Sequence, residues 1–427
     1  MFRKIIKNKL QKYVRKYFIA HPEVKLVIVA GSVGKTSTKV ATATILSSKY
    51  RVRLHEGNHN TDMSAPLAIL GVGYPLDVRS VVSWLKVFSA ARKRIKRPAD
   101  VDVIIQELGA DHPGDIQGFA EYLNPDIAII TAVTAEHMEH FGDMAAVAKE
   151  ELEAANFSKM AVINRDDIEG KYANYLTNAN VTTYGTSGIA EYRFEEENFT
   201  LENGYQGNLI APEFDTAVDV QVNVVGEHNI RPVIGAAAVG VKLGMSKDEI
   251  ARGMADVLPV AGRMNLLPGV QGTTIIDDTY NSSPLAAQCA IQTLYKLQAP
   301  QRILIMGSMN ELGPVSAVEH EKLGKMCDPN AIAWVITVGD EAERYFAPAA
   351  KSNGCQVQSF KTSLEAGAFA HKVLEEGAII LGKGSETGIY VEEALKIILR
   401  TTAEQDNLVR QSDAWKAEKN KFFSKFA

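Results

Sequence analysis

Apolar side chains at Phe2, Ile5, Ile6, Leu10, Tyr13, Val14, Tyr17 and Phe18 recur every three or four positions, the spacing of one face of an α-helix. After Pro22 the pattern changes to short apolar runs alternating with helical stretches. Residues 24–30 read as a buried strand ending in a Gly-rich turn, and 36–47 continue with helical character. Residues 101–106, 127–133 and 160–164 are further buried-strand segments, and 143–155 form an Ala-rich helix. Such alternation predicts an α/β domain with a mostly parallel sheet covered on both faces. Residues 181–226 differ, being rich in Thr, Tyr, Val and Phe with Asn-Gly and Gln-Gly turns, and predict an antiparallel subsheet of hairpins. A helix follows at 229–243, and Pro259 and Gly262 then break the pattern. A second, smaller Rossmann-like α/β series begins near Met264, with strands at 274–277, 302–306, 334–338 and 378–381. The expected layout is an N-terminal helix over 1–22, a central domain over 23–263 and a C-terminal domain over 264–427.

Composition narrows the class. The 427 residues carry 46 basic and 51 acidic side chains, with 46% hydrophobic and 23% charged positions, as in soluble globular proteins. Disordered and collagen-like chains are excluded, and no apolar run approaches the roughly 18 residues of a bilayer span. The basic start has neither an apolar core nor a small-residue cleavage site, so a secretory signal is not expected. Cys289, Cys327 and Cys355 lie far apart, giving neither a disulfide framework nor a zinc pattern. A reducing, cytoplasmic compartment is expected, and the net charge of −5 argues against nucleic acid as a partner. The charge is unevenly spread. Residues 1–22 hold seven basic and no acidic side chains, which leaves −12 for the rest. The first helix therefore has two readings: it packs on its own domain with a solvated basic face, or residues 1–20 lie on an anionic membrane surface.

Gly31-Ser32-Val33-Gly34-Lys35-Thr36 sits between the first strand and the first long helix after it. Its glycines let backbone N–H groups face phosphate oxygens, Lys35 adds a mobile positive charge, and Thr36 offers a hydroxyl to magnesium. The longer form of this loop has glycine two residues before Gly31, where Val29 stands here. The strand–turn–helix context points to a nucleoside-triphosphate site.

Gly31–Thr38, including Ser37, resembles the ATP loop of the Mur ligases, which join amino acids or peptides to the peptidoglycan stem. Other segments look like the member of that family that adds D-alanyl-D-alanine to a UDP-N-acetylmuramoyl-tripeptide. They are the 57–62 stretch Gly-Asn-His-Asn-Thr-Asp, Glu107-Leu108-Gly109-Ala110 with His112-Pro113-Gly114, and Thr131 through His137 to Gly142. Further on come Gly226-Glu227-His228-Asn229, Gly262-Arg263-Met264, Asp277-Asp278-Thr279-Tyr280-Asn281, Asn310-Glu311-Leu312-Gly313 and Lys383-Gly384-Ser385. They run in family order from residue 31 to about residue 395. The family has a uridine-nucleotide-binding domain ahead of the ATP loop; only thirty residues precede Gly31, and that domain is expected to be lacking. Ala132, Pro232 and Ser282-Ser283 replace residues of the family pattern.

The resemblance implies an ATP- and magnesium-dependent ligase, acting as a monomer, that activates a carboxylate as its acyl phosphate and lets an amine displace the phosphate. Its substrates would be a nucleotide-sugar peptide and a dipeptide. Gly31–Ser37 would hold the triphosphate, with His228, Asn229, Arg263, Asp278 and Asn281 as further nucleotide contacts. Two magnesium ions would sit on Thr36, Glu107, His137 and Glu151. Lys35, Glu107, His137, Glu151 and Arg263 would be the catalytic set, and Asn60, Thr61, Lys383 and Ser385 would contact substrate. Bare chemistry leaves several of these open. Histidine is an atypical magnesium ligand, so His137 has a structural reading too. Asn229 has the alternative of a helix cap, and Lys383 and Ser385 that of stabilising their own turn. Glu151 lies four residues after Val147 and seven after Met144, on their apolar face. Many relatives carry a carbamylated lysine there, in effect a long carboxylate; here the carboxylate is already present, or else Glu151 is an ordinary surface glutamate. Lys149 is turned about 200° away along the helix.

Two other readings stand beside this one. The same chemistry could act on a polyglutamate-type or lipid-linked acceptor, or the chain could be a non-catalytic nucleotide-binding module. Glu107, His137 and Arg263 argue against the module, which would have no use for them.

Overall fold

The computed structural model describes every residue except Met1, Glu56, Asn58, Leu76 and Ala427. Asn58 of the 57–62 motif and the first residue of the N-terminal segment therefore lie outside the described residues. The chain divides into two compact units. The first comprises Met1–Thr134, His140–Asn223 and Asn229–Leu258, and the second Ala135–Glu139, Val224–His228 and Pro259–Ala427.

The strands of the first unit are β1 (Lys25–Ala30), β2 (Val52–Leu54), β3 (Val103–Glu107), β4 (Ile127–Ile130), β5 (Met160–Asn164), β6 (Val181–Gly185), β7 (Tyr192–Thr200), β8 (Gly204–Ile210) and β9 (Val218–Val222). They form one sheet in the order β2-β3-β1-β4-β5-β6-β7-β8-β9. β1 pairs in parallel with β3 on one side and β4 on the other. Successive connections thus leave β1 in opposite directions, which opens a crevice at its carboxyl end. Leu26, Val27, Ile28, Val29 and Ala30 are all at most 1% exposed, which is why that segment reads as an unbroken apolar run.

The helices in chain order through this part are α1 (Phe2–Ala20), α2 (Lys35–Ser47), α3 (Ser64–Leu70), α4 (Val81–Lys96), α5 (Asp115–Ala120), α6 (Met138–Phe141), α7 (Met144–Asn156), α8 (Glu227–Lys242) and α9 (Lys247–Ala255). α1 buries Ile6, Leu10, Tyr13, Val14 and Tyr17. Tyr13 meets the Phe88 ring of α4 edge-on at 5.9 Å, Arg92 donates to the Tyr13 hydroxyl at 2.9 Å, and Lys9 lies over Phe88 at 4.1 Å. The first helix therefore does pack on its own unit. Sequence reading did not foresee α4. Its buried stripe is only Trp84, Val87, Phe88 and Ala91, and Ser80 caps it by accepting from the Ser83 N–H. None of the described helices is long and apolar enough to cross a membrane.

The expected hairpin region is corrected at its start. β6 pairs in parallel with β5, and β7 begins beside β6 in parallel as well; only β7–β8 and β8–β9 are antiparallel. Asp166 accounts for the turn between β6 and β7, since it accepts from the backbone N–H of Thr186 and of Ser187.

The second unit carries β10 (Asn265–Pro268), β11 (Thr274–Asp278), β12 (Arg302–Gly307), β13 (Trp334–Val338), β14 (Val357–Phe360) and β15 (Ile379–Lys383), in the order β10-β11-β15-β12-β13-β14. β10 is antiparallel to β11 and the remaining neighbours are parallel. Ile303, Ile305, Ile336 and Ile380 are fully buried in its core. The α/β class, with a mostly parallel sheet extended by antiparallel strands and a second α/β sheet after it, is the one expected.

Candidate functional site

The end of β1 leads directly into the phosphate loop. Gly31 and Gly34 have φ of +126° and +84°, the region open to glycine. A Cβ on Gly31 would stand 2.2 Å from the Thr131 hydroxyl oxygen and 2.8 Å from the Ala132 nitrogen. The loop is thus wedged against the end of β4. Ser32 N–H donates to the Ala132 carbonyl at 2.9 Å and the Thr131 hydroxyl donates to the Val33 carbonyl at 2.6 Å. α2 starts at Lys35 with Gly34 as its cap, so its first-turn N–H groups and the positive end of its dipole point into the loop. The Lys35 ammonium folds over this nest and donates to the carbonyls of Gly31 at 2.5 Å and Ser32 at 2.9 Å.

Glu151 enters from below. Its carboxylate, 4% exposed, accepts the Gly31 N–H at 2.7 Å. α7 is responsible, because its apolar face packs inward and carries Glu151 with it, as the heptad-like spacing from Met144 and Val147 requires. Glu151 is not a solvated surface residue. Its neighbour Glu150 caps α5 by accepting from Gly114 N–H and Ile116 N–H at 2.8 and 2.6 Å.

Glu107, at the carboxyl end of β3, is the hub of the polar cluster. It accepts from the Thr36 hydroxyl at 3.1 Å and from the Asn60 amide at 3.3 Å, and it pairs with the Lys39 ammonium at 3.3 Å. Glu107 and Lys39 are each 4% exposed. Lys39 was not singled out from the sequence; the available signal was a lone lysine one helical turn after Lys35 in a helix of small and apolar residues. A carboxylate and a hydroxyl beside the phosphate loop are hard oxygen donors of the kind magnesium takes. Thr36 and Glu107 fit that ion by chemistry. Among the described residues no group of three or more His, Cys, Asp or Glu converges on one point.

Beyond Asn60 the chain lines a cavity of about 270 Å³ bounded by Arg3, Lys7, Thr61, Asp62, His112 and Tyr122. The Tyr122 hydroxyl is buried with no hydrogen-bond partner among the described residues, and burial with the nearby Asp62 charge keeps it protonated. Thr61 shares a hydrogen bond with Ser64 at 2.9 Å. Nearby, the rings of His55 and His59 lie 3.6 Å apart at a tilt of 50°, and burial together with His55 and Lys39 lowers the His59 pKa.

The remaining predicted residues fall elsewhere. His137 belongs to the second unit, where its Nδ1 meets a Glu311 carboxylate oxygen at 2.8 Å. Both residues have positive φ, +50° and +63°, a strained backbone of the kind concentrated at functional sites. Glu311 was given no role from sequence, since nothing local links it to His137. Arg263 stacks its guanidinium over Tyr280 at 4.2 Å, and its Nε is buried without a hydrogen-bond partner among the described residues. Asp278 pairs with Lys383 at 2.7 Å, and Lys383 also donates to the Asn281 carbonyl at 2.9 Å. Lys383, at 1% exposure, and Ser385, which accepts from Asn310 N–H at 2.8 Å, tie the strand-end loops together. Asp277 is fully buried, accepts from Thr279 and from Gly262 N–H, and is pushed up to about 6 by burial. Burial also raises Glu386, against the pull of Arg410 and Arg263. His228 and Asn229 lie in the first turn of α8, which begins at Glu227; Asn229 is therefore inside the helix and not its cap.

With this geometry in hand, comparison with known proteins is informative. Residues 29–240 match the family model described as the Mur ligase middle domain, and residues 262–386 match the Mur ligase, glutamate ligase domain. The UDP-N-acetylmuramoyl-tripeptide–D-alanyl-D-alanine ligase of Bacillus subtilis (strain 168) is 24% identical over 397 residues, covering 88% of this chain and 76% of that protein. The ligase of the same name from Escherichia coli (strain K12) is 27% identical over 322 residues, covering 74% of this chain and 65% of its own length. In fold, the MurF ligase of Thermotoga maritima in complex with ADP superposes with a TM-score of 0.75 at 23% identity, covering 94% of this chain and 84% of that one. Both family models fall in order on the two α/β units, and the chain belongs to the Mur ligase family.

Proposed function

We propose that the protein is an ADP-forming, ATP- and magnesium-dependent peptide ligase that joins D-alanyl-D-alanine to a UDP-N-acetylmuramoyl-tripeptide in peptidoglycan precursor synthesis. One observation supports this most directly: Thr36 and Asn60 converge on Glu107 beside a phosphate loop braced by Glu151. A plain nucleotide-binding module needs the loop but not the buried carboxylates. The names of the relatives supply the substrate pair.

In this reading Gly31–Ser37 and the Lys35 ammonium hold the triphosphate and offset its charge as it approaches the acceptor carboxylate. Thr36 and Glu107 would hold magnesium, which screens the anions when bound. Glu151 supports the same centre, fixing the loop through Gly31 and standing in for a carbamylated lysine. The buried Lys39 ammonium pairs with the Glu107 carboxylate, and Asn60 fixes its rotamer. Asn60, Thr61 and the adjoining cavity take part of the acceptor peptide. His137, Arg263, His228, Asn229, Asp278 and Asn281 complete the nucleotide and metal contacts, with Lys383 and Ser385 serving the incoming dipeptide. Reaction then runs through an acyl phosphate, whose carbonyl carbon is attacked by the dipeptide amine as phosphate leaves. The enzyme would act as a cytoplasmic monomer, with residues 1–20 in peripheral contact with the inner face of the membrane.

The test is phosphate release with both substrates, followed by mass analysis of the product. Release that requires the tripeptide, the dipeptide and magnesium together is the expected result. Release with a polyglutamate or lipid-linked acceptor instead would reassign the substrate, and nucleotide binding without any release would overturn the ligase reading.

A further inference from the structure

The outward faces of α1 and α4 share a composition found in no other helix pair among the described residues. α1 carries Arg3, Lys4, Lys7, Lys9, Lys12, Arg15 and Lys16, and α4 carries Lys86, Arg92, Lys93, Arg94 and Lys96; neither contains an acid. Their apolar sides are already used, since Tyr13, Val14 and Tyr17 of one and Trp84, Val87 and Phe88 of the other are buried. At 100° per residue, Ile5, Lys12 and Ile19 fall together on the solvent side of α1, flanked by Lys4, Arg15 and Lys16. On α4 the same construction places Val81, Val82 and Leu85 on the solvent side with Lys86, Arg92, Lys93 and Lys96. These aliphatic side chains are among the most exposed in the chain, Ile5 at 58%, Ile19 at 79%, Val82 at 63% and Leu85 at 56%. Lys4, Lys12, Lys16, Lys86, Lys93 and Lys96 make no ion pair among the described residues.

An intramolecular packing role is thereby spent, while unpaired cations and aliphatic tips remain outside. We propose that α1 and α4 together form a docking surface for an anionic lipid bilayer, with the cations attracted to headgroups and the aliphatic side chains inserted shallowly among them. The charge sign selects an anionic partner. The aliphatic tips select lipid over nucleic acid, whose flexible single strands are gripped by aromatic stacking. This deepens the contact proposed above for residues 1–20 by adding α4 and by naming acidic phospholipid as the partner. It holds whether or not the ligase reading does, because lipid binding is measured without substrate.

The experiment is co-sedimentation of the full chain with vesicles of phosphatidylcholine alone and of phosphatidylcholine mixed with an equal share of phosphatidylglycerol. Binding is expected only with the acidic lipid, and is expected to fall about tenfold or more between about 0.1 M and about 0.5 M salt. The charge reversals Lys12→Glu with Lys16→Glu on α1, and separately Lys93→Glu with Lys96→Glu on α4, should each weaken it about tenfold. Ile19→Asp and Leu85→Asp should weaken it in the same vesicles. All these positions are solvent-facing and outside the site, so far-UV circular dichroism and ligation of soluble substrates should match the parent chain. Parent-like binding by the α4 variants would overturn the two-helix surface and leave only the α1 contact. Equal binding to both vesicle types, or binding to single-stranded RNA with none to acidic vesicles, would overturn it altogether.

Discussion

Glu151 holds the Gly31 N–H from a position 4% exposed to solvent, so its charge is felt directly by the loop proposed to take the phosphates. A hydrogen bond to a charged acceptor contributes about 1.5–3 kcal/mol. Glu151→Gln keeps an oxygen acceptor but removes the charge, and should lower kcat by about tenfold or more, with a raised magnesium requirement. Bicarbonate should restore nothing, because no lysine awaits carbamylation there; a fully active Gln variant would overturn the metal role proposed for Glu151. Asp277 offers a second residue-scale test. Burial raises its carboxyl from 3.8 to about 6, so its folded pKa exceeds its unfolded one. The stability this group contributes is complete below about pH 4 and is lost as pH rises through about 6, a change on the order of 3 kcal/mol. Asp277→Asn cannot titrate. The stability gap between parent and variant, followed by urea unfolding, should therefore shrink as pH rises from about 4 to 7; a gap that widens would contradict the assignment.

At the scale of elements, the β1–loop–α2 unit was the most legible part of the sequence. An apolar strand, two glycines and a Lys-Thr pair within one turn are local signals, and the structure builds them locally. Gly31→Ala tests the fit, since its Cβ would fall 2.2 Å from the Thr131 hydroxyl at φ +126°. Strain of about 1–3 kcal/mol should displace the loop, weakening nucleotide binding by calorimetry and lowering Tm; parent-like affinity would mean the β4 end gives way freely. What the sequence could not supply was the company Glu107 keeps. Lys39 reaches it only because β3 lies beside β1, and Asn60 because β2 lies on the other side of β3, and strand order is a non-local outcome. The His137–Glu311 pair is hidden for the same reason. α4 escaped for a different one: its buried stripe is four residues long, and the cationic half after it lacks the apolar period that marks a helix.

At the scale of the whole chain, charge is partitioned as much as structure is. α1 and α4 hold twelve basic and no acidic side chains, and with a net charge of −5 the rest of the chain stands at −17. The sequence left the first helix two readings, packed on its own domain with a solvated basic face or lying on an anionic membrane surface. Packing makes it part of the first unit. Ile6, Leu10, Tyr13, Val14 and Tyr17 are each at most 6% exposed, and burying a side chain of this size stabilises by about 1.5–3 kcal/mol. Losing five such contacts is comparable with the entire stability of a domain, about 5–15 kcal/mol. Deleting residues 2–20 would in addition uncover Phe88. The truncated chain is therefore expected to bind a hydrophobic dye and to lose both a cooperative thermal transition and nucleotide affinity in the first unit. It cannot serve as a clean probe of lipid binding, for which the surface substitutions are the proper tool. A truncated chain that melts and binds ATP like the parent would mean that α1 adds little to the core it covers.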